Sequence, residues 1–417
     1  MGVLWLHPDP WTINKIILLN KPGKPKSDPS NYRPITLIYN LSKILEKIVT
    51  YKIKTWAEVN NKLNKEQSGF RVDKSANDKL FELAQIVAQG RNRKHMTSAV
   101  FLDIEKAFDK VWHRGLIYKL MGIGLPAPML RYVANFIKNR HIYFTLEGNE
   151  SPLIYTKSGV PQGSSISPIL FILYVADIPI PHKSVHLSQF ADDIKLFSNG
   201  KRLEKIYKHM QAALDGLVRF CGQWRIGLNS SKTVEVLFGH KLNFTPIKLT
   251  LLGRPVERAP FNKFLGVTFD RKSSFDKHVS LIHTKAFVRL IYLKRIYTQD
   301  YGPSASTMLR LFKIFIRPLF EYGSVATITA NPRILNKWEG IQSSYIAHIL
   351  GLPSQMSHVN LRKFANVPSI SDRLLMLAKS WYNKSMKNNP DVRSFIEQYG
   401  KDFGEFDKFK TPLRLVK

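Results

Sequence analysis

The stretch His186-Leu187-Ser188-Gln189-Phe190-Ala191-Asp192-Asp193-Ile194-Lys195-Leu196-Phe197 places two adjacent carboxylates between two short apolar runs. This pattern predicts a β-hairpin with strands near 185–190 and 194–198 and both acids at its tip. Asp is depleted in strand interiors, and two neighbouring negative charges repel each other unless a cation neutralises them. Mg²⁺ prefers carboxylate and phosphate oxygens, so the tip suits phosphoryl transfer. An ordinary surface turn, where Asp is common, is the alternative.

A second acidic segment favours the metal interpretation. Residues 97–104 form an apolar, partly β-branched run that carries Asp103 near its end. An unpaired carboxylate in a buried strand is costly. If Asp103 lies beside the hairpin tip, it would join Asp192 and Asp193 in holding two Mg²⁺ ions roughly 3.5–4 Å apart, the spacing of two-metal polymerases and nucleases.

The composition indicates a folded protein with a polyanionic partner. Lys and Arg number 63 against 31 Asp and Glu, a formal net charge of +32, which favours nucleic acid. The hydrophobic content of 44% excludes a disordered basic tail. The single Cys221 excludes a disulfide framework, and no charge-free apolar run reaches the roughly 18 residues of a membrane span. We therefore expect an intracellular protein, in the nucleus, the cytoplasm or both, that is neither secreted nor bound to a membrane.

Several short blocks follow one another in an order that is typical of one family. They lie at 21–25, 31–35, 67–71, 99–109, 159–164, 190–193, 228–233 and 263–267. In this order the blocks resemble reverse transcriptases of non-LTR, LINE-type retrotransposons, and the Jockey-like group in particular. The resemblance covers residues from about 15 to 270.

The resemblance implies an α+β fold with the architecture of a right-hand polymerase. The reverse transcriptase domain would cover 15–270, with fingers over about 15–95 and a palm of antiparallel sheet and helices over about 96–270. From about 271 to 417 the pattern is mostly helical, which predicts a thumb-like carboxy-terminal region.

Apolar periodicity predicts several helices. The predicted helix over 35–54 would bury its apolar residues and leave its polar ones in solvent. The apolar set is Leu41, Ile44, Leu45, Ile48 and Val49, and the polar set is Ser42, Lys43, Glu46 and Lys47. Further helices are predicted at about 79–89, 129–139, 165–176, 203–224, 275–297, 305–320 and 334–350.

The resemblance also implies the catalytic roles. Asp103 and Asp192 would be the main ligands of two Mg²⁺ ions, for which Mn²⁺ is an expected substitute. The backbone carbonyl of Ile104 would contribute a further ligand, and Asp193 a weaker or indirect contact. Lys232 would approach the pyrophosphate leaving group, where an ammonium stabilises charge or donates a proton. A solvated basic face explains Lys232 equally well.

Substrate contacts are implied at four further side chains. Arg33 and Lys43, followed by Arg71, are candidates for the incoming triphosphate, because guanidinium and ammonium groups suit phosphate oxygens. Solvated basic residues are the alternative for all three. Phe108, five positions after Asp103, would stand against the 2′ position of the sugar and exclude ribonucleotides. A ring in the apolar core is the alternative for Phe108.

Two loops complete the expected site. Gln162 and Gly163, in the block at 159–164, would shape the pocket of the nascent base pair, since glycines permit close approach and an amide can donate and accept hydrogen bonds. An ordinary loop before a helix is the alternative. Phe264, Leu265 and Gly266 match a primer-grip hairpin, although the apolar residues there would equally suit a sheet core.

The expected function is RNA-directed DNA synthesis, in which deoxynucleoside triphosphates extend a primer 3′-hydroxyl on an RNA template. A catalytically inactive, retrotransposon-derived basic nucleic-acid-binding protein is the alternative from another class. A group II intron-type enzyme has the same chemistry but fits 21–35 and 263–267 less well. No room precedes the fingers for the endonuclease that is usual in Jockey-like elements, so we expect a polymerase fragment or a truncated element copy.

Overall fold

The computed structural model describes residues 7–146, 148–179, 182–239, 247–297, 302–400 and 411–416. The predicted α+β class is confirmed, because helices and sheets alternate through the first two thirds of the chain and helices predominate after it. The strands are β1 (Ile13–Asn20), β2 (Tyr32–Thr36), β3 (Met96–Asp103), β4 (His141–Leu146), β5 (Asn149–Glu150), β6 (Ile154–Tyr155), β7 (His186–Phe190), β8 (Asp193–Gly200), β9 (Val234–Phe238), β10 (Thr250–Leu251), β11 (Arg254–Pro255), β12 (Glu257–Arg258), β13 (Phe261–Phe264) and β14 (Val267–Asp270).

Most predicted helices are present with small shifts at their ends. The helices are α1 (Asn40–Val59), α2 (Ala76–Asn92), α3 (His113–Gly122), α4 (Ala127–Ile137), α5 (Ser167–Tyr174), α6 (Leu203–Gln223), α7 (Asp276–Arg295), α8 (Ala305–Phe315), α9 (Arg317–Glu321), α10 (Ser324–Thr327), α11 (Pro332–Ile349), α12 (His358–Ala365), α13 (Ile370–Asn388), α14 (Pro390–Gly400) and α15 (Pro412–Val416). The single helix predicted over 305–320 is wrong. It is divided into α8 and α9 at Ile316, next to Pro318, which has no backbone N–H to continue the ladder.

A five-stranded sheet in the order β12-β9-β3-β8-β7 forms the centre of the molecule. β3 is its middle strand and runs antiparallel to both β8 and β9. Successive side chains of β3 point to opposite faces, so Val100 and Leu102 enter one hydrophobic core while Ala99 and Phe101 enter the other. The sheet is therefore buried on both faces, with the ends of its strands left to form a site.

A second sheet combines β1 and β2, from the range predicted as fingers, with β4, β5 and β6, from the range predicted as palm. Its order is β2-β1-β4-β5, with β6 also paired to β4. β1 and β2 are antiparallel, whereas β1 and β4 are parallel. A bond from the backbone nitrogen of Thr36 to the carbonyl oxygen of Gln162, 2.7 Å long, joins this sheet to the loop that follows β6.

The predicted orientation of α1 is correct at Val49, which is buried, and at Lys47, which is exposed, but it is wrong over the first turns of the helix. The helix buries Ser42 and Glu46, while Leu41 and Ile44 are 69% and 58% exposed. Glu46 decides this orientation: its Oε2 accepts hydrogen bonds from the Oγ of Ser164 at 2.6 Å and from the nitrogen of Ser165 at 2.9 Å. A buried carboxylate needs such donors. Periodicity cannot reveal them, because they lie more than a hundred residues further along the chain.

The carboxy-terminal helices pack against α2. The Nε1 of Trp381 in α13 donates to Asp78 at 2.9 Å, and the Nδ2 of Asn389 donates to the other oxygen of that carboxylate at 3.1 Å. Side chains of α2, the central sheet and the helices after 270 share one apolar core. The predicted boundary near 270 thus coincides with a change of secondary structure inside a continuous core. None of the described helices is long and apolar enough to span a membrane.

The burial of Glu46 and the exposure of Ile44 predict an unusual ranking of substitutions. Glu46→Ala leaves the buried donors of Ser164 and Ser165 without a partner, which should lower the free energy of unfolding by roughly 1–3 kcal/mol. Ile44→Ser, in solvent, should change it by no more than about 0.5 kcal/mol. Denaturant titrations followed by circular dichroism measure both. A larger loss for Ile44→Ser than for Glu46→Ala would contradict the orientation of the helix.

Candidate active site

The structure brings the two acidic segments together at one end of the central sheet. β7 and β8 form the predicted hairpin, in which Phe190 pairs with Asp193 and leaves Ala191 and Asp192 as the turn. On the other side of β8, Asp193 pairs directly with Asp103, the last residue of β3. Directly paired residues of antiparallel strands point to the same face of the sheet. Asp103 and Asp193 are therefore neighbours on one face.

The acids repel one another within a partly desolvated environment. Surrounding protein atoms, followed by repulsion from Asp192 and Asp103, raise the pKa of Asp193 from its ordinary 3.8 to about 6. Burial, with a further contribution from Asp103, also raises the pKa of Asp192. Asp193 is solvent-exposed, so water screens part of this effect. A cation at this position would relieve the repulsion.

Lys232 supplies one positive charge. Its Nζ lies 3.2 Å from the Oδ2 of Asp103, and both side chains are exposed. Asn229 organises the turn that carries Lys232, because its Oδ1 accepts from the nitrogens of Ser231 and Lys232 at 3.1 and 3.2 Å. The predicted leaving-group lysine thus lies beside a predicted metal ligand.

The backbone around Ile104 is consistent with the carbonyl role predicted for it. Ile104 bridges to Leu228, but the bonds of this bridge are made by the neighbouring residues. The nitrogen of Asn229 donates to the carbonyl of Asp103 at 2.9 Å, and the nitrogen of Glu105 donates to the carbonyl of Gly227 at 2.8 Å. These two bonds leave the Ile104 carbonyl outside the ladder.

The donor set fits Mg²⁺ that binds together with a phosphate ligand. Its side chains offer carboxylate oxygens, the hard ligands that Mg²⁺ prefers, and burial followed by the neighbouring carboxylates raises the pKa of Asp192 and Asp193. Within the described ranges, no three or more His, Cys, Asp or Glu side chains form a ready-made metal cage. Such a cage is not required, because Mg²⁺ in phosphoryl-transfer sites is usually held by one or two carboxylates and the substrate phosphates.

The loop at 159–164 packs against the segment that follows Asp103. The nitrogen of Val160 donates to the carbonyl of Phe108 at 2.7 Å, and the Nε2 of Gln162 donates to the Oδ1 of Asp109 at 2.8 Å. Gly163 has a φ of 114°, and an added Cβ would lie 2.9 Å from the carbonyl oxygen of Thr36. Glycine is therefore required where the loop contacts β2 of the second sheet. The carboxylate of Asp109 thus orients the side-chain amide of Gln162.

The ring of Phe108 is half-buried, and its centroid lies 5.2 Å from that of Phe171 in α5. It packs against the first core from the edge of the site. This position is compatible with both the sugar-contact prediction and the core alternative.

The three predicted triphosphate contacts differ in their surroundings. Arg33 is exposed on β2, and Lys43 is half-buried on α1. Arg71 is engaged elsewhere, because its Nη2 and Nε donate to the two oxygens of Glu58 at 2.6 and 3.0 Å, and its Nη1 donates to the carbonyl of Asn64 at 2.9 Å. Its contacts are those of a residue that stabilises the turn after α1.

The predicted primer-grip hairpin is formed by β13 and β14, with Leu265 and Gly266 at its tip. The ring of Phe264 faces inward, 5.5 Å from that of Phe101. The Oη of Tyr322 donates to the carbonyl of Leu265 at 2.8 Å, and a Cβ at Gly266 would lie 2.7 Å from the ring of Tyr322. Phe264 thus contributes to the core, while the two tip residues contact the helical region.

The sequence analysis missed Lys195 and Gln67. Lys195 is 0% exposed, and its ammonium lies 4.7 and 4.6 Å from the ring centroids of Phe197 and Phe264. Burial lowers the pKa of Lys195 to about 7. The position of Lys195 between alternating apolar residues of β8 was a signal that pointed to an inward side chain. Gln67, whose amide contacts the backbone of Ala191, gave no such signal.

The comparisons with known proteins identify the family. Residues 21–269, more than half of the chain, match the family model described as reverse transcriptase (RNA-dependent DNA polymerase). The chain belongs to the reverse transcriptase family. Members of this family generally use divalent metal ions.

The predicted resemblance to Jockey-like elements is also confirmed. The chain is 26% identical over 384 residues to the RNA-directed DNA polymerase from mobile element jockey of Drosophila melanogaster, covering 90% of this chain and 42% of that protein. Its counterpart in Drosophila funebris is 28% identical with the same coverage. The probable RNA-directed DNA polymerase from transposon X-element of Drosophila melanogaster is 28% identical, covering 95% of this chain and 44% of that protein. The chain therefore spans less than half the length of these relatives.

Among solved structures, the chain is similar to apo telomerase from Candida tropicalis. The TM-score is 0.45 at 12% sequence identity, and the match covers 95% of this chain and 71% of that chain.

The repulsion at the hairpin tip predicts a pH-dependent gain in stability. Because the pKa of Asp193 in the folded protein exceeds its ordinary value, the charged form destabilises the fold as pH rises from about 4 to above 6. In metal-free buffer, Asp193→Asn should raise the thermal midpoint at pH 7.5 by about 1–2 °C and leave it unchanged near pH 4. Differential scanning fluorimetry measures both midpoints. Asp215→Asn, at an exposed acid of α6, is the control and should show no such difference; equal gains in the two variants would contradict the assignment.

Proposed function

We propose that this chain catalyses RNA-directed DNA synthesis, in which the 3′-hydroxyl of a primer annealed to an RNA template attacks a deoxynucleoside triphosphate and releases pyrophosphate. The observation that carries the proposal is the pairing of Asp103 with Asp193 at the end of the sheet, next to Asp192 in the turn. Membership of the reverse transcriptase family supports the same chemistry.

Asp103, Asp192 and the carbonyl of Ile104 would hold two Mg²⁺ ions, with Asp193 in weaker or indirect contact. When bound, the ions would lower the pKa of the primer hydroxyl and neutralise charge on the triphosphate; Mn²⁺ is an expected substitute. Lys232, now 3.2 Å from Asp103, would stabilise the negative charge that develops on the leaving pyrophosphate. The contact with Asp103 holds the ammonium beside the proposed metal ligands.

The other predicted residues would bind and orient the substrates. Arg33 and Lys43 are the main candidates for the triphosphate, since the donors of Arg71 already contact Glu58 and backbone carbonyls. Gln162 and Gly163 would lie under the nascent base pair. The ring of Phe108 would reject the 2′-hydroxyl of ribonucleotides.

Leu265 and Gly266, at the tip of the β13–β14 hairpin, would contact the primer. Phe264 would anchor the hairpin in the core. Fingers over 15–95, palm over 96–270 and a thumb-like region beyond remain our proposed division. An intracellular location, nuclear or cytoplasmic, is expected for this reaction.

A binding-only function is the second candidate, and the net charge of +32 favours it independently of the acids. Basic residues alone would grip a primer-template through its phosphates. The two candidate functions differ in whether the acidic cluster takes part in catalysis.

A salt series separates binding from chemistry. Affinity of the parent for primer-template should fall steeply with salt, with a log–log slope of about −0.7 to −0.9 per neutralised phosphate. The double variant Asp192→Asn, Asp193→Asn should keep that slope and bind as tightly or more tightly, because two repelling charges are gone. Single-turnover extension should vanish in this variant and persist in Asp215→Asn.

Two results would contradict the proposal. The first is a folded parent that binds primer-template but shows no extension with Mg²⁺ or Mn²⁺, which would favour the binding-only candidate. The second is loss of both binding and extension in a folded double variant, which would show that the acids contribute to nucleic-acid binding.

Sugar selection tests Phe108. Phe108→Val removes bulk beside the 2′ position and should reduce the preference for deoxyribonucleotides over ribonucleotides by about tenfold. Phe171→Leu is the matched control, because it changes the same aromatic packing from the core side. Steady-state extension with each nucleotide class measures the preference. A similar loss of preference in both variants, or in neither, would assign Phe108 to the core alone.

A further inference from the structure

The side-chain amide of Gln67 closes a ring of hydrogen bonds with the acidic turn. Its Oε1 accepts from the backbone nitrogen of Ala191 at 2.8 Å, and its Nε2 donates to the carbonyl oxygen of the same residue at 3.2 Å. The Oε1 also accepts from the nitrogen of Gly69 at 2.7 Å. Gln67 is 1% exposed, so water does not compete for these bonds. The amide therefore holds both backbone polar groups of Ala191, which belong to the two peptide units on either side of its Cα.

Ala191 has an unfavourable backbone conformation that other contacts must stabilise. Its φ is 56°, in the left-handed region, which costs a residue with a Cβ about 1–2 kcal/mol. Two-residue hairpin loops normally contain Asn-Gly or Asp-Gly, whose residues accept positive φ readily. Here the loop is Ala191-Asp192, and the residue with positive φ is the alanine, which has no such preference. The conformation of the turn must be stabilised by contacts from outside the hairpin.

The segment around Gln67 is itself docked on the edge of the sheet. The nitrogen of Ser68 donates to the carbonyl of Gln189, and the nitrogen of Gln189 donates to the carbonyl of Glu66, both at 3.0 Å. An added Cβ at Gly69 would overlap the backbone nitrogen of Ala191. Position 69 thus requires glycine because two segments of the chain are in direct backbone contact there. The fingers segment and the turn form one rigid contact.

We propose that Gln67 is a positioning residue for Asp192. By holding Ala191 in the left-handed conformation, it directs the next carboxylate towards Asp103, where both would bind Mg²⁺. This inference rests on the proposed function, because it takes Asp192 to be a metal ligand. Gln67 touches neither metal nor substrate and acts only through the backbone of the turn.

The test compares two buried glutamines on paired segments. Gln67→Met keeps the volume of the side chain and removes its hydrogen bonds. Gln189→Met is the control: Gln189 is also 1% exposed, but its amide has no hydrogen-bond partner within the described residues. Hydrogen exchange of the Ala191 amide, measured by mass spectrometry without metal or nucleic acid, should accelerate in Gln67→Met alone.

The functional readout is the Mg²⁺ concentration for half-maximal primer extension. It should rise about 10–100-fold in Gln67→Met, the usual effect of removing a group that orients a metal ligand, and stay constant in Gln189→Met. Affinity for primer-template should not change in either variant. Adding Ala191→Gly to Gln67→Met should restore most of the Mg²⁺ response, because glycine adopts positive φ without help. Loss of packing would not be rescued in this way.

Three results would overturn the proposal: equal effects of the two Met variants, unchanged exchange at Ala191 in Gln67→Met, or no rescue by Ala191→Gly. If Gln67→Met does not fold, Gln67→Asn replaces it, because its shorter amide cannot reach both backbone atoms of Ala191. Failure of the proposed function is recognised separately. In that case the parent shows no extension at all, while the exchange measurement still reports whether Gln67 holds the turn.

Discussion

The antiparallel pairing of β3 with β8 is the constraint on which the site depends. Their register runs from Met96 opposite Gly200 to Asp103 opposite Asp193, so two acids meet only because the whole ladder is in phase. Both faces of this sheet are packed against apolar cores. A slip of one residue would turn every side chain of β3 to the wrong core and bring Asp103 to the opposite face. The same burial that stabilises the fold therefore fixes the position of the charges.

Local features of the site were predictable from sequence. The hairpin at 186–200 and the acid-bearing strand were evident because alternation with period two and a pair of acids are local signals. Helix α6, predicted over 203–224, extends over Leu203–Gln223. These elements depend on residues that are adjacent in the chain. The family order of the blocks then placed both segments in one site before any distance was known.

Contacts between distant segments were not predictable. The carboxylate of Glu46 accepts from Ser164 and Ser165, so the first turns of α1 bury this polar side chain while Ile44 stays in solvent. Gln67 reaches Ala191 across 124 residues. In each case a polar side chain is buried because its partner is supplied by another part of the fold, and burial without that partner would be costly. Hydrophobic periodicity has no means of recording such pairs.

The contact between Gly69 and Ala191 affects how intact copies of such a gene should be recognised from their sequences. The three acids occupy only two short stretches of sequence, yet the turn that carries Asp192 contacts a docked segment that lies 124 residues before Ala191 and contributes none of these acids. A genomic survey that scores only the acidic motifs would count as competent a copy in which Gly69 has acquired a side chain. Decay of these sequences can therefore begin in the segment around Gly69 and leave the acidic motif unchanged.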